Sequence, residues 1–426
     1  MYEKDFLKFE ITLDEAWIDS PLFPQSVLKE AENQTSDIFE ADKSFYITSG
    51  TSVSNQIVLD AILEDDDRVL VEKSAHKSIH FALNQRNLDI HYIGMQYSDK
   101  QSGRKFSNFE KMMNDFKTAF EQGSPFKKVI LNASSYEGVI NNIPYIIEKL
   151  IEIDSDITIL IDEAWFAFAK FHKEFSKYSI LSYANSLRSK YPDLNIVVTQ
   201  SLHKSLPCLR QSSIIHVIGS EEIIRKVAEA KFKIHTTSPS YSILASIDLA
   251  CAEMCQNGEF LVSEAYRRAK KTKNIIGKLQ NLSVNADIKQ SFWITDPLKI
   301  SVNFQSTKKT AAQIKELFKK HHLFVNRFTE SSFLLNFHIG VNDEALTALE
   351  AALIEINHRA SQTTANHHQK ISDEYIVPYP PGVPLIFPGD VVSGAKIEEM
   401  KKLESNGVQL FHIRKKERIH AKSNTN

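Results

Sequence analysis

Cysteine is scarce in this chain: Cys208, Cys251 and Cys255 are the three in 426 residues. An odd number without metal-ligand spacing excludes a disulfide framework or a cysteine metal centre as the organising device, and it suits a reducing compartment. Cys251 and Cys255 stand one helical turn apart, which reads as two small residues buried on one helix face rather than a redox pair. Long apolar runs are missing as well. No stretch approaches the roughly 20 apolar residues of a membrane-spanning helix, and the opening MYEKDFLKFE alternates charged and apolar residues, unlike a secretion signal. The expectation is a cytoplasmic protein, neither exported nor membrane-bound. An excess of one charge is also lacking. The chain carries 51 Lys and Arg against 53 Asp and Glu, a formal net charge of -2, so composition gives no surface for nucleic acid.

What is present suffices for a full core. With 42% hydrophobic and 24% charged residues, a chain of this length accommodates one large domain and a smaller one. From Lys43 onward, β-rich runs alternate with helical patterns: SFYIT, a helix over Asn55 to Leu63, DRVLVEK, a second helix, DIHYIG, then KKVILNAS, ITILIDEA, NIVVTQS and SIIHVIG. Continuous apolar strands separated by helices predict an α/β fold with a parallel sheet covered on both faces. Ligands of such sheets collect at the carboxyl ends of the strands. SGTS, SAHKS, DEAWF and SLHKS all fall just after apolar runs, where functional polar residues belong.

A long helical region around Ile223 to Leu282 precedes a change of pattern. Strand LKISVNFQ, helix TAAQIKELFKKHH, strands FVNRF and SFLLNFHIG and helix NDEALTALEAALIEINHR predict a compact α+β unit. The polar stretch SQTTANHHQKISDE reads as a loop into the proline-rich YIVPYPPGVPLIFPGD, whose prolines enforce an extended path. The basic, polar tail after His412 reads as frayed. The division is thus an N-terminal arm over 1–36, a large domain over 37–285, a small α+β domain over 286–360 and a C-terminal loop with tail over 361–426.

Three segments suggest chemistry. Gly50, Thr51 and Ser52 stand between a strand and a helix, where free backbone N–H groups and hydroxyls grip a phosphate; a capped turn without any ligand has the same sequence. Asp162 ends the strand of ILIDEAWFAF, where a carboxylate can pair with the protonated pyridine nitrogen of pyridoxal phosphate (PLP) or simply cap the next turn. Ser201, His203 and Lys204 follow the strand of VVTQSLHKSL, where a lysine can form an imine or lie on the surface. The order of phosphate turn, ring-nitrogen acid and imine lysine is more specific than any one member.

On these residues the chain resembles the ornithine/lysine/arginine decarboxylase family of fold-type I (aspartate aminotransferase-like) PLP enzymes. The matching runs are SFYITSGTSVSNQIV, DRVLVEKSAHKSIHFAL, SSYEGVINNI, IDEAWFAFAKFH, QSLHKSLPCLRQSSIIHV, TTSPSYSILASID, DPLKISVNF and YPPGVPLIFPGD, from about Asp37 to Asp390 in the family's order. The resemblance implies that Thr51 and Ser52 hold phosphate, that His76 stacks on the pyridine ring and that Asp162 meets its nitrogen. It implies further that Ala164 and Trp165 wall the pocket, that Ser201 and His203 support the cofactor, and that Lys204 is the imine lysine. For His76 the residues alone suggest only a solvated loop histidine. A homodimer or higher assembly is implied too, with Ser238 and Ser240 reaching toward the neighbouring subunit's cofactor.

The chain departs from the family in several places. Nothing before Ile47 matches the usual segment of phenylalanine, any residue and proline-glycine-histidine-lysine. Arg210 stands where a small or hydroxylated residue is common, and either clamps a substrate carboxylate or lies on the surface. Ser242 replaces a usual proline, and Asp390 a common glutamate. The expected reaction is decarboxylation of a basic amino acid, with Asp390 or another acid near the YPPG segment meeting the distal cation. An aminotransferase, an oxygen-using oxidase or a non-catalytic regulatory relative are the alternatives, because the bond held perpendicular to the ring is the one that breaks.

Overall fold

The computed structural model describes residues 19–99, 104–325, 327–358, 370–379, 385–392 and 394–414. It divides into two compact units, one formed by Met1–Lys270, Ala286–Ile300 and Asn336–Val341, the other by Lys271–Asn285, Ser301–Leu335 and Asn342–Asn426.

Runs rich in Val and Ile, whose branched side chains favour extended backbone, supply the seven strands of the first unit's sheet. They are β1 (Lys43–Ile47), β2 (Arg68–Glu72), β3 (Asp89–Ile93), β4 (Lys128–Asn132), β5 (Thr158–Asp162), β6 (Asn195–Ser201) and β7 (Ser213–Ile218). Their spatial order is β1-β7-β6-β5-β4-β2-β3. Strands β2 to β6 pair in parallel. The run SIIHVIG departs from the parallel expectation, since β7 is antiparallel to both of its neighbours. Its chain reaches it from β6 through a short connection, and a parallel neighbour would have required a crossover of a dozen residues or more. One reversal on each side leaves β1 running with the rest. The end of β1 and the start of β7 therefore meet at the edge where β2 and β4 to β6 also finish.

Helix α1 (Val27–Phe39) begins within the stretch read as an N-terminal arm. Helix α2 (Thr51–Ile62) starts from Gly50, whose φ of 77° and ψ of 163° suit glycine alone. Its Ile57 and Val58 join Val71 of β2, Leu160 of β5, Val197 of β6 and Ile215 of β7 in one buried cluster. Helix α3 (Lys77–Leu83) is capped by the His76 imidazole, which accepts from the Ser78 N–H at 3.3 Å. The long helical region resolves into α4 (Glu221–Ile234) and α5 (Tyr241–Ile276). Along α5, Cys251 is buried and Cys255 exposed, so the two do not share a buried face. The four-residue spacing advances about 400° around the axis, enough to carry Cys255 past the edge of the apolar stripe. Gly258 of α5 lies against Phe171, where an added Cβ would come within 2.6 Å of the Phe171 Cβ.

The segment 286–300, which the sequence pattern assigns to a small domain, clusters with the first unit. Trp293–Thr295 pairs antiparallel with Val139–Asn141, and the buried Arg104 guanidinium donates to the Ala286 carbonyl at 3.0 Å.

The second unit contains most of a four-stranded sheet with β8 (Ser283–Val284), β9 (Lys299–Asn303), β10 (Arg327–Phe328) and β11 (Ser332–Asn336) in the order β8-β9-β11-β10. Among the described residues, the run FVNRF thus contributes a strand of two residues. Helices α6 (Ala311–Lys320), opened by a Thr310 and Gln313 capping box, and α7 (Asp343–Asn357) complete its core. The Pro380–Pro384 part of the YPPG segment and the tail from 415 lie outside the described residues. Among the described residues, no helix is long and apolar enough to cross a membrane.

Candidate active site

The strand ends of the first unit surround a cavity of about 800 Å³, lined among others by Gly50, Thr51, Ser52, Asn55, His76, Asp162, Ala164, Trp165, Ser201, His203, Lys204 and Arg210. It has the size of a small-molecule site. Residues from five separate sequence segments meet here because the strands before them finish at one edge.

At the end of β5, Asp162 is 7% exposed. Its Oδ1 accepts from the Ala164 N–H at 3.0 Å and its Oδ2 from Asn55 Nδ2 at 3.0 Å. Asn55 is held in turn by Thr199, whose hydroxyl donates to Asn55 Oδ1 at 2.7 Å. The carboxylate is fixed in direction by neutral donors, with no cation bonded to it among the described residues.

After β6, Leu202–Ser205 forms a single helical turn. Lys204 Nζ stands 4.8 Å from the centroid of Trp165, which packs edge-on against Tyr136 at 5.1 Å. The amine makes no hydrogen bond or ion pair among the described residues. Desolvation lowers its basicity and the Asp162 charge opposes that shift. Burial also lowers the basicity of His203, whose Nδ1 lies 3.2 Å from the Ser212 carbonyl and 3.3 Å from Ser201 Oγ. An amine with depressed basicity is the nucleophilic form required to attack a carbonyl.

The turn before α2 lines the cavity with Gly50, Thr51 and the exposed Ser52, and the Gly50 N–H donates to the Gln211 carbonyl at 2.8 Å. Thr51 is engaged elsewhere: its hydroxyl meets Ser213 Oγ at 3.0 Å, and Ser213 donates to the Gln200 carbonyl at 2.6 Å. His76 sits at the cavity wall with its Nδ1 2.9 Å from Ser78 Oγ, and desolvation lowers its basicity. Arg210 lines the exposed rim. Ser238 is exposed and Ser240 half-buried at the start of α5, where its Oγ accepts from the Ile243 N–H, and neither lines the cavity. Asp390 belongs to the second unit and pairs with Lys396 at 2.6 Å.

Sequence reasoning missed Asn55, Ser74, Asn132 and the Ser134–Glu137 loop, all of which line the cavity. The only sequence signal for the loop is the run SSYEGVINNI, and Asn55 looks like any polar residue on an amphipathic helix.

An isolated amine, a fixed carboxylate and a glycine-started helix N-terminus in one cavity fit an aromatic aldehyde phosphate such as PLP: the amine for its carbonyl, the carboxylate for its ring nitrogen and the turn for its phosphate. The fold is that of the fold-type I PLP-dependent enzymes. It superposes on the Francisella novicida lysine decarboxylase LdcF with a TM-score of 0.72 at 19% identity, covering 95% of this chain and 71% of that one. Residues 1–345 match the family described as Orn/Lys/Arg decarboxylase, major domain, and the chain belongs to that family of enzymes. It is similar to the arginine decarboxylase of Bacillus subtilis, at 22% identity over 89% of this chain and 81% of that protein. It is also similar to the lysine decarboxylase LdcA of Pseudomonas aeruginosa, at 29% identity over 67% of this chain and 39% of LdcA.

Proposed function

We propose that the chain decarboxylates a basic amino acid, using pyridoxal phosphate bound covalently to Lys204. The observation that carries this reading is the Lys204 amine, unpaired among the described residues, in a cavity that also contains the oriented Asp162 carboxylate. When bound, pyridoxal phosphate supplies an electron sink for the α-carbon. Asp162 would hold the ring-nitrogen proton, Gly50–Ser52 the phosphate, His76 the ring face, and Ala164 and Trp165 the opposite wall. Ser201 and His203 would keep the Lys204 turn in place. Glu137, a carboxylate in the cavity lining, suits the distal cation of lysine, arginine or ornithine. Ser238 and Ser240 would serve the cavity of a second copy of the chain, giving a homodimer or higher assembly.

Incubating the protein and pyridoxal phosphate with each basic amino acid and weighing the products tests the reading. Loss of about 44 Da, the mass of CO2, marks decarboxylation by a cofactor of this class. Arg210 at the cavity rim favours a second reading, in which a guanidinium keeps the substrate carboxylate in the ring plane and the α-proton leaves instead. A keto acid product would select that reading, and no product from any substrate would reject both in favour of a regulatory relative.

A further inference from the structure

A second buried lysine shares the wall of the site. Lys299, at the start of β9, is 3% exposed, and its Nζ lies 5.2 Å from the centroid of the same Trp165 indole that Lys204 faces at 4.8 Å. The two amines can be no farther apart than the sum of those distances. Both line a second, small cavity of about 20 Å³, together with Trp165 and Asp296.

Lys299 is firmly held. It donates to the Ser135 carbonyl at 2.8 Å and lies 3.7 Å from the buried Asp296 carboxylate. The backbone closes over it at Gly138, where φ is 90° and an added Cβ would stand 3.0 Å from the Lys299 Cβ. The Asp296 N–H donates to the Gly138 carbonyl at 2.9 Å, tying the cavity-lining Ser134–Glu137 loop to the turn that leads into β9. A surface lysine placed by chance would have none of this enclosure.

We propose that Lys299 is a positioning residue for Lys204: its charge, fixed behind Trp165, disfavours a second ammonium on the same ring and holds Lys204 as the free amine. The inference deepens the proposed function and rests on it for its purpose, although the coupling of the two amines stands on geometry. Two like charges within this distance in a low-dielectric wall shift each other's proton affinity by equal amounts, and their titration belongs to the pair. Burial and the Lys204 charge lower the basicity of Lys299, while Asp296 and Glu137 oppose the fall. Facing Lys204 from other elements are Asp162 at the end of β5, His76 and Lys77 at the start of α3, and Arg210 beyond its own turn. Its neighbour His203, Tyr136 and Glu137 in the large cavity's lining, and Asp296 and His338 in the small cavity's complete the titratable set among the described residues. Lys299→Arg keeps a cation beside Asp296 and Lys299→Met removes it, so the difference between the two variants isolates that charge.

The test is competitive labelling of the full-length protein with trace acetic anhydride across pH, after removal of pyridoxal phosphate, with acetylation of Lys204 read by peptide mass spectrometry. Lys204 in the parent should titrate below an ordinary lysine. Lys299→Met should move its midpoint up by about one pH unit, about a tenfold loss of labelling rate near neutral pH. Lys299→Arg, which keeps a permanent charge, should leave the midpoint at or below that of the parent. An unchanged midpoint in Lys299→Met overturns the proposal, and so does a Lys299→Arg midpoint as high as an ordinary lysine's. Should Lys299→Met fail to fold, the Lys299→Arg titration decides alone. A parent protein that never binds pyridoxal phosphate overturns the proposed function and leaves the labelling result intact.

Discussion

Asn55 and Asp162 are joined by a 3.0 Å hydrogen bond between the first helix after the glycine turn and the end of a central strand. That bond aims one carboxylate oxygen while the Ala164 N–H holds the other. Replacing Asn55 by Ala removes the donor and leaves the Thr199 hydroxyl without its acceptor, an unsatisfied buried group worth about 1–3 kcal/mol. Asn55→Ala should lower the melting temperature and cut kcat by about tenfold, because a carboxylate free to rotate holds the ring proton less well. Thermal denaturation and steady-state kinetics check both, and an unchanged kcat removes Asn55 from the site.

Lys204→Ala should abolish the visible absorbance that the protein acquires with pyridoxal phosphate, along with any adduct trapped by borohydride. Among the described residues, Lys77 is the one other lysine in the large cavity's lining. Trapping on Lys77 in the parent protein would reassign the covalent role.

Asp162→Asn should still bind pyridoxal phosphate, since the lysine and the turn before α2 remain, but lose turnover by roughly 100-fold or more. Absorbance titration separates binding from kcat. Comparable turnover in the variant would dismiss the ring-nitrogen role.

Arg210 stands at an exposed rim, where a guanidinium acts through a screened field. Arg210→Ala should raise KM by about threefold to tenfold at low ionic strength, less at high salt, with unchanged product identity. A shift from keto acid to amine product in the variant would show instead a clamp inside the site.

Next to Asp162, Glu163 points away from the cavity into the protein. Burial pushes its pKa up to about 8, partly offset by the Ser179 hydroxyl, which donates at 3.0 Å. A carboxyl whose folded pKa lies above its unfolded value near 4.5 favours the folded state fully below pH 4.5. That contribution fades as pH rises toward 8. Glu163→Gln should therefore flatten the fall in stability across this window and leave the variant less sensitive to alkali than the parent. Chemical denaturation at pH 5 and pH 8 measures the difference, and parallel losses in both proteins would refute the assignment.

Much of this was legible in the sequence because it is local. Gly50, Asp162 and Lys204 each follow an apolar run, and a strand fixes where its next residue points. The reversal of β7 was not legible, because an apolar run looks the same in either direction. Lys299 was hidden for a different reason: DPLKISVNF reads as an ordinary strand of a small domain, and only its enclosure by Ser135, Gly138 and Asp296 marks the lysine as part of the wall. Asn55 is invisible until β5 and β6 bring Asp162 and Thr199 to it.

In α5, Gly258→Ala should destabilise the fold by about 1–3 kcal/mol through overpacking against Phe171, reversing the gain of about 1 kcal/mol that alanine usually brings to a helix interior. Thermal melts of the variant provide the sign directly.

The pairing of Lys43–Ile47 with Ser213–Ile218 sets a timetable for the growing chain. The segment that leads into the phosphate turn is synthesised early, yet its strand partner among the described residues emerges some 170 residues later, at roughly ten seconds or more of ribosome time. Chains arrested before Ser213 should leave Lys43–Ile62 open to protease, whereas chains carried past Ile218 should protect it. Ligand capture then becomes a late checkpoint of synthesis, reached only when the last strand has slid between the first and the body of the sheet.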